Sequence, residues 1–152
     1  MMRAKDYIDL AQAYANIASG CRKVAVGSVI TKNQVVISMG ANRAIPDLCK
    51  TRGCLRVEKY GNDSKAHRNP EDCRAIHSEI DAISKAGVEL HGATIFVTRY
   101  PCEGCAKAII ASGIQSIYYA GETKISEQTA QMLESYGVDY HFVGGYKDDT
   151  DR

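Results

Sequence analysis

No apolar run in the sequence approaches the roughly 20 residues that a membrane-spanning helix needs, so a membrane protein is not expected. The opening "MMRAKDYIDL" lacks the apolar stretch of a secretory signal, and the expected compartment is the cytoplasm. An excess of one charge is missing too. The net charge is +1 at pH 7, whereas nucleic-acid binders tend to be markedly basic, so a nucleic-acid partner is not expected. Internal repeats and linkers are also absent. A chain of 152 residues then reads as one domain, long enough to bury a core without staples. We expect that domain over 1–143, with an inserted loop region over 41–70 and a polar tail over 144–152.

The near-zero charge is unevenly spread. Residues 1–70 hold 12 Lys and Arg against 5 Asp and Glu, and residues 71–152 hold 7 against 13. The basic half suits either a solvated surface or an anionic small-molecule substrate. Six cysteines are present. In a reducing compartment, clustered cysteines more often bind metal or do chemistry than form disulfides.

Periodicity outlines the elements. "DYIDLAQAYANIAS" places Tyr7, Leu10, Ala11, Tyr14, Ile17 and Ala18 on one helical face, with Gly20 as its stop. "KVAVGSVIT" and "QVVISMG" are rich in β-branched residues and flank "KN", which predicts a hairpin. Residues 41–70 lose periodicity, and a loop of that length is expected to be functional or tied down. "PEDCRAIHSEIDAISKAG" predicts a helix from Pro70 to Gly87. Strand "ATIFVT", helix "CEGCAKAIIASG", strand "QSIYYA", helix "SEQTAQMLESYG" and strand "VDYHFV" follow. Strands alternating with helices imply parallel pairing and covered sheet faces, while the hairpin adds an antiparallel part. The expectation is an α/β fold on a mixed sheet.

Two short stretches carry the chemistry. In "YPCEGCAKAII", Cys102 and Cys105 open a helix, where the positive dipole end favours thiolate over thiol. Taken alone, that pair fits a metal site, a redox site or no site. In "IHSE", His77 adds a third ligand and Glu79 a carboxylate. Tetrahedral zinc takes four ligands, and catalytic sites leave one position for water. H-x-E followed by P-C-x-x-C is the pattern of zinc-dependent nucleobase deaminases. It is met here by His77, Glu79, Pro101, Cys102 and Cys105. A thioredoxin-like reading explains neither His77 nor Glu79. In the expected reaction zinc acidifies a water, and Glu79 moves its proton to the base and then to the departing amine.

The chain resembles the deoxycytidylate (dCMP) deaminases of phage and competence-associated bacterial type over nearly its whole length. "CRAIHSEIDAI" is similar to the family's C-R-x-x-H-A-E-x-N-A-I helix. "TIFVTRYPCEGCAKAIIASGI" resembles its T-x-Y-V-T-x-x-P-C-x-x-C-A-K-x-I-x-x-x-G-I block. "CRKVAVGSVITKNQVVISMGANRA" resembles the opening hairpin, and "CKTRGCLR" the cysteine-bearing insertion. Ala41, Arg43, Ala44, Ser78, Ile80, Asp81 and Tyr100 depart from the family's usual residues.

The resemblance implies a three-layer α/β/α cytidine-deaminase-like fold with a mixed sheet of about five strands. It implies hydrolysis of dCMP to dUMP and ammonia in pyrimidine deoxynucleotide metabolism. Zinc is the implied cofactor, a homo-oligomer (hexamer favoured) the implied assembly, and dCTP and dTTP the implied effectors. Asn42 is the implied nucleotide contact, with Ser78, Thr98 and Tyr100 at the pocket border. Arg22, Lys23, Arg43 and Arg74 are candidates for the 5′-phosphate, because Arg and Lys supply the cationic donors it needs. A second, structural zinc is implied, drawn from Cys21, Cys49, Cys54, His67 and Cys73. The competing readings are a deaminase of modified cytosine nucleotides, a deaminase of tRNA or single-stranded DNA, and a non-enzymatic zinc module of the same fold.

Overall fold

The computed structural model describes residues 1–21, 23–45, 48–49, 53–61, 72–121 and 124–145. Helix α1 (Ala4–Ala18) precedes a hairpin of β1 (Gly27–Lys32) and β2 (Val35–Ala41). Then come α2 (Leu55–Tyr60), α3 (Ser78–Lys85), β3 (Thr94–Val97), α4 (Glu103–Ala111), β4 (Ser116–Tyr119), α5 (Glu127–Ser135) and β5 (Asp139–Phe142). The sheet runs β2-β1-β3-β4-β5. β1 is antiparallel to β2 and β3, while β3, β4 and β5 are parallel. This is the expected mixed five-stranded sheet.

Alternation along the strands builds the two outer layers. Val29 and Phe96 pack against Tyr7, Ile8 and Ala11 of α1. Ile30, Ile95, Val97, Ile117 and Tyr119 point the other way, toward Ala82 of α3, Ala106 and Ile109 of α4, and Leu133 of α5. Among the described residues no helix is long and apolar enough to cross a membrane.

Four local expectations are corrected. The buried face of α1 is Tyr7, Ile8, Ala11 and Ala15, while Ile17 is 87% exposed and Ala18 is exposed as well. The alanine stripe prevails because Gly27 lets β1 touch the α1 backbone; a Cβ on Gly27 would sit 2.0 Å from the Ala11 carbonyl oxygen. The hairpin loop is Asn33-Gln34, both at positive φ (51° and 65°), as a two-residue type I′ turn requires. The 41–70 region is not wholly without regular structure, because it holds α2. Finally, α3 begins at Ser78, with His77 as its N-cap, instead of near residue 71. Ile76 and Arg43 exchange both backbone hydrogen bonds (2.8 and 2.9 Å), which holds the chain before His77 extended.

α2 is bound to the approach to α3. Lys59 and Tyr60 both bond the carboxylate of Asp72, which is 4% exposed. Arg74 reaches back to the carbonyl oxygens of Leu48 and Gly53 and to Glu58.

Candidate active site

Two helix N-termini meet at the end of the sheet where β3 finishes. His77 caps α3 through its backbone alone, and its imidazole is turned to α4. His77 Nδ1 lies 3.6 Å from Cys102 Sγ and 3.3 Å from Cys105 Sγ. Cys102 is the N-cap of α4, and its sulfur accepts from the Cys105 backbone N–H. The three ligand atoms lie within 4.8 Å of one another. Both thiols sit in the first turn of α4, where the helix dipole favours thiolate.

Packing three donors together pulls their titrations apart. The Cys102 thiol is pushed down to about 4, chiefly by its hydrogen bond with Cys105. The Cys105 thiol is driven up by that same bond and by burial. His77 is raised to about 10, first by Cys102 and then by Cys73. One imidazole and two sulfurs match zinc's ligand preference, so these three residues could hold a zinc ion.

Glu79 is 4% exposed and shares a cavity of about 100 Å³ with His77 and Cys102. Burial raises its pKa above the usual carboxylate value, against the pull of His77. The carboxylate is thus held beside the ligand triad in a site where a proton can reside on it.

Of the expected substrate contacts, Asn42, Ser78 and Tyr100 line the cavity. The Asn42 amide is largely committed to its own backbone. Its oxygen accepts from Val26 N–H (2.9 Å) and the Ser19 hydroxyl (2.5 Å), and its nitrogen donates to the Val24 carbonyl (2.8 Å). Among the described residues, one N–H of the amide is left over for a ligand. Thr98 lies behind the wall, 2% exposed, with its hydroxyl accepting from Gly27 N–H (3.0 Å).

None of the described phosphate candidates lines the cavity. Arg22 lies outside the described residues. Lys23 is exposed, Arg43 pairs with Asp81 at 3.4 Å, and Arg74 ties down the insertion. Among the described residues, the cations that line the cavity are Arg56 of α2 and Arg99 after β3. Sequence reasoning missed both. Arg99 stands two residues before Pro101 of the cysteine motif, and that adjacency was the available signal. Arg56 carries no motif.

Of the second-zinc candidates, His67 lies outside the described residues. Cys21, Cys49, Cys54 and Cys73 are half-buried free thiols. Among the described residues, the metal-capable group of three or more is His77, Cys102 and Cys105. Cys73 instead lines the cavity and hydrogen-bonds to His77, which lowers its thiol pKa.

The family model of MafB19-like deaminases matches residues 2–135. ComE operon protein 2 of Bacillus subtilis is 35% identical over 127 residues, which is 80% of this chain and 61% of that protein. A deoxycytidylate deaminase of Mycobacterium phage D29 is 32% identical over 126 residues, 77% of this chain and 93% of the phage protein. The chain therefore spans less than two thirds of the Bacillus relative and nearly all of the phage one. A dCMP deaminase of the cyanophage S-TIM5, solved in complex with dCMP and dUMP, shares the fold. Its TM-score is 0.69 at 23% identity, covering 94% of this chain and 100% of the cyanophage chain. A family match across most of the chain, joined to relatives that share about a third of their aligned residues with it, makes this protein a deaminase of the MafB19-like deaminase family, within the cytidine deaminase superfamily.

Proposed function

We propose that this protein hydrolyses dCMP to dUMP and ammonia, supplying deoxyuridylate to pyrimidine deoxynucleotide metabolism. The observation that carries the reading is the buried Glu79 carboxylate beside His77 and Cys102, in a cavity that also presents Arg56 and Arg99. The phage D29 relative, named as a deoxycytidylate deaminase, supports the choice of substrate.

His77, Cys102 and Cys105 hold the zinc, which when bound acidifies water toward neutral pH. Glu79 takes a proton from the attacking water and gives it to the ring nitrogen beside C4 as the water oxygen bonds to that carbon. C4 then carries both a hydroxyl and the amine. Glu79 removes the hydroxyl proton and delivers it to the amine, the C4–N bond breaks, and ammonia leaves a uracil ring. Burial suits Glu79 to both halves, because it brings the two protonation states closer in energy.

Arg56 and Arg99 bind the 5′-phosphate, and the spare N–H of Asn42 faces the nucleotide. Guanidinium groups suit a monophosphate because they donate paired N–H bonds to its oxygens. With this reading, on the family resemblance, go a homo-oligomer controlled by dCTP and dTTP and a second, structural zinc whose ligands are drawn from Cys21, Cys49, Cys54, His67 and Cys73. Light scattering with and without the two nucleotides, and the zinc-to-protein ratio, test these.

The test of the function itself is product analysis with dCMP, deoxycytidine and cytidine at equal concentration. Conversion of dCMP to dUMP with equimolar ammonia, well ahead of both nucleosides, is the expected result. Preference for a nucleoside contradicts the monophosphate reading.

A further inference from the structure

Ser78 stands where the resembling family has alanine, between the metal-ligating His77 and the proton-carrying Glu79. Its side chain is 0% exposed and points away from solvent. Ser78 Oγ lies 2.7 Å from Ser28 Oγ of β1 and donates to Glu79 Oε2 at 3.2 Å. Ser28 is also 0% exposed. It shares the strand face of Ile30, the face covered by α3, because Val29 between them packs toward α1.

A serine hydroxyl has one proton to give. The proton of Ser78 goes to Glu79, so within the serine pair Ser28 is the donor and Ser78 the acceptor. The result is a directed chain from Ser28 to Ser78 to Glu79. A hydroxyl that receives a hydrogen bond is polarised and donates more strongly, most of all in a site closed to water. One oxygen of the Glu79 carboxylate is thereby tied to the start of α3, in a carboxylate that also bonds the Cys105 side chain.

We propose that Ser28 and Ser78 are positioning residues, forming a hydroxyl relay from the sheet that fixes the orientation of Glu79 for proton transfer. The kinetic part of this reading rests on the proposed deamination of dCMP.

The test compares zinc-loaded wild type with Ser78→Ala, Ser28→Ala and the double variant. Loss of one hydrogen bond to the shuttle is expected to lower kcat for dCMP by roughly 5- to 20-fold in Ser78→Ala, with KM near wild type. Ser28→Ala is expected to lose about 2- to 5-fold, since it weakens the same bond indirectly. The double variant should be no worse than Ser78→Ala alone, because Ser28 acts through Ser78. Zinc content should not change. An unchanged kcat in Ser78→Ala, or independent losses that multiply in the double variant, overturns the relay.

Crystal structures of wild type and Ser78→Ala, free of substrate, provide a readout that does not depend on dCMP. The relay predicts that Glu79 takes more than one side-chain orientation in the variant and a single one in wild type. An identical, single orientation in both overturns it. A wild type that ignores dCMP but shows this difference in Glu79 removes the proposed function and leaves the relay standing.

Discussion

A Cβ on Gly40 would lie 2.2 Å from the carbonyl oxygen of Ser78. β2 and α3 are therefore in backbone contact at the helical turn that follows His77 and carries Glu79. Two further bonds hold the seat: the Ser38 hydroxyl donates to the Ala82 carbonyl (2.7 Å), and the Ala41 N–H donates to Asp81 (3.2 Å). Gly40→Ala must push α3 off the sheet. A destabilisation of about 1–3 kcal/mol is expected from overpacking. Activity should fall further than stability accounts for, because a displacement of about 1 Å can cost on the order of 100-fold in rate. Thermal unfolding and kcat measured on the same preparation check this. A variant with wild-type kcat would show that α3 does not need this seat.

Arg56 reaches the cavity from α2, a helix anchored through Asp72. Removing a charge-assisted bond to phosphate is worth about 1.5–3 kcal/mol, so Arg56→Ala should lower kcat/KM for dCMP by roughly 10- to 150-fold. Deoxycytidine, which has no phosphate, should lose almost nothing. Arg56→Lys should recover part of the loss, since an ammonium keeps the charge without the paired donors. Equal losses on both substrates would place Arg56 in the scaffold.

The anchor of α2 should be acid-sensitive. Hydrogen bonds from Lys59 and then Tyr60 hold the Asp72 carboxyl below its ordinary value of 3.8. A group whose folded pKa is depressed contributes stability above its unfolded pKa and loses it as the pH falls through the folded value. The contribution should therefore be complete at neutral pH and fade below about pH 4. Comparing Tm for wild type and Asp72→Asn from pH 7 down to pH 3 checks the sign. The gap between them should be widest at pH 7 and close on acidification; a gap that widens in acid contradicts it.

Much of the fold was legible because it depends on local pattern. Residues of opposite strand parity in "ATIFVT" and "QSIYYA" face the two helical layers, as alternation requires. The gathering of His77, Cys102 and Cys105, with Glu79 beside them, was legible because metal-dependent chemistry demands fixed residue types at fixed spacing. What stayed hidden depends on distant partners. The start of α3 is set by Ile76 pairing with Arg43, more than thirty positions away in sequence. α2 buries no residue fully, so it leaves no apolar stripe to read. Arg56 and Arg99, far apart in sequence, meet only in the folded chain, where both line the cavity. On α1, two adjacent stripes compete, and the close approach of Gly27 on the neighbouring strand selects the alanines.

The hairpin allows a prediction that does not involve the site. Gln34 holds φ at 65° with a full side chain, and Asn33 precedes it at 51°. Asn-Gly is the favoured pair for such a turn. Gln34→Gly should stabilise the protein by about 0.5–1 kcal/mol, read as a higher urea midpoint with an unchanged slope. A lower midpoint would mean that the Gln34 side chain contributes more than its backbone strain costs.

The central claim is that Glu79 moves the protons and that His77, Cys102 and Cys105 hold the metal without it. The most direct measurement is the zinc-to-protein ratio together with the initial rate of ammonia release from dCMP, for wild type and Glu79→Gln. The account predicts that Glu79→Gln keeps the zinc bound at the three-ligand site and loses activity by at least about 100-fold, the lower range of general acid–base catalysis. A variant that keeps its zinc and its rate would contradict the account.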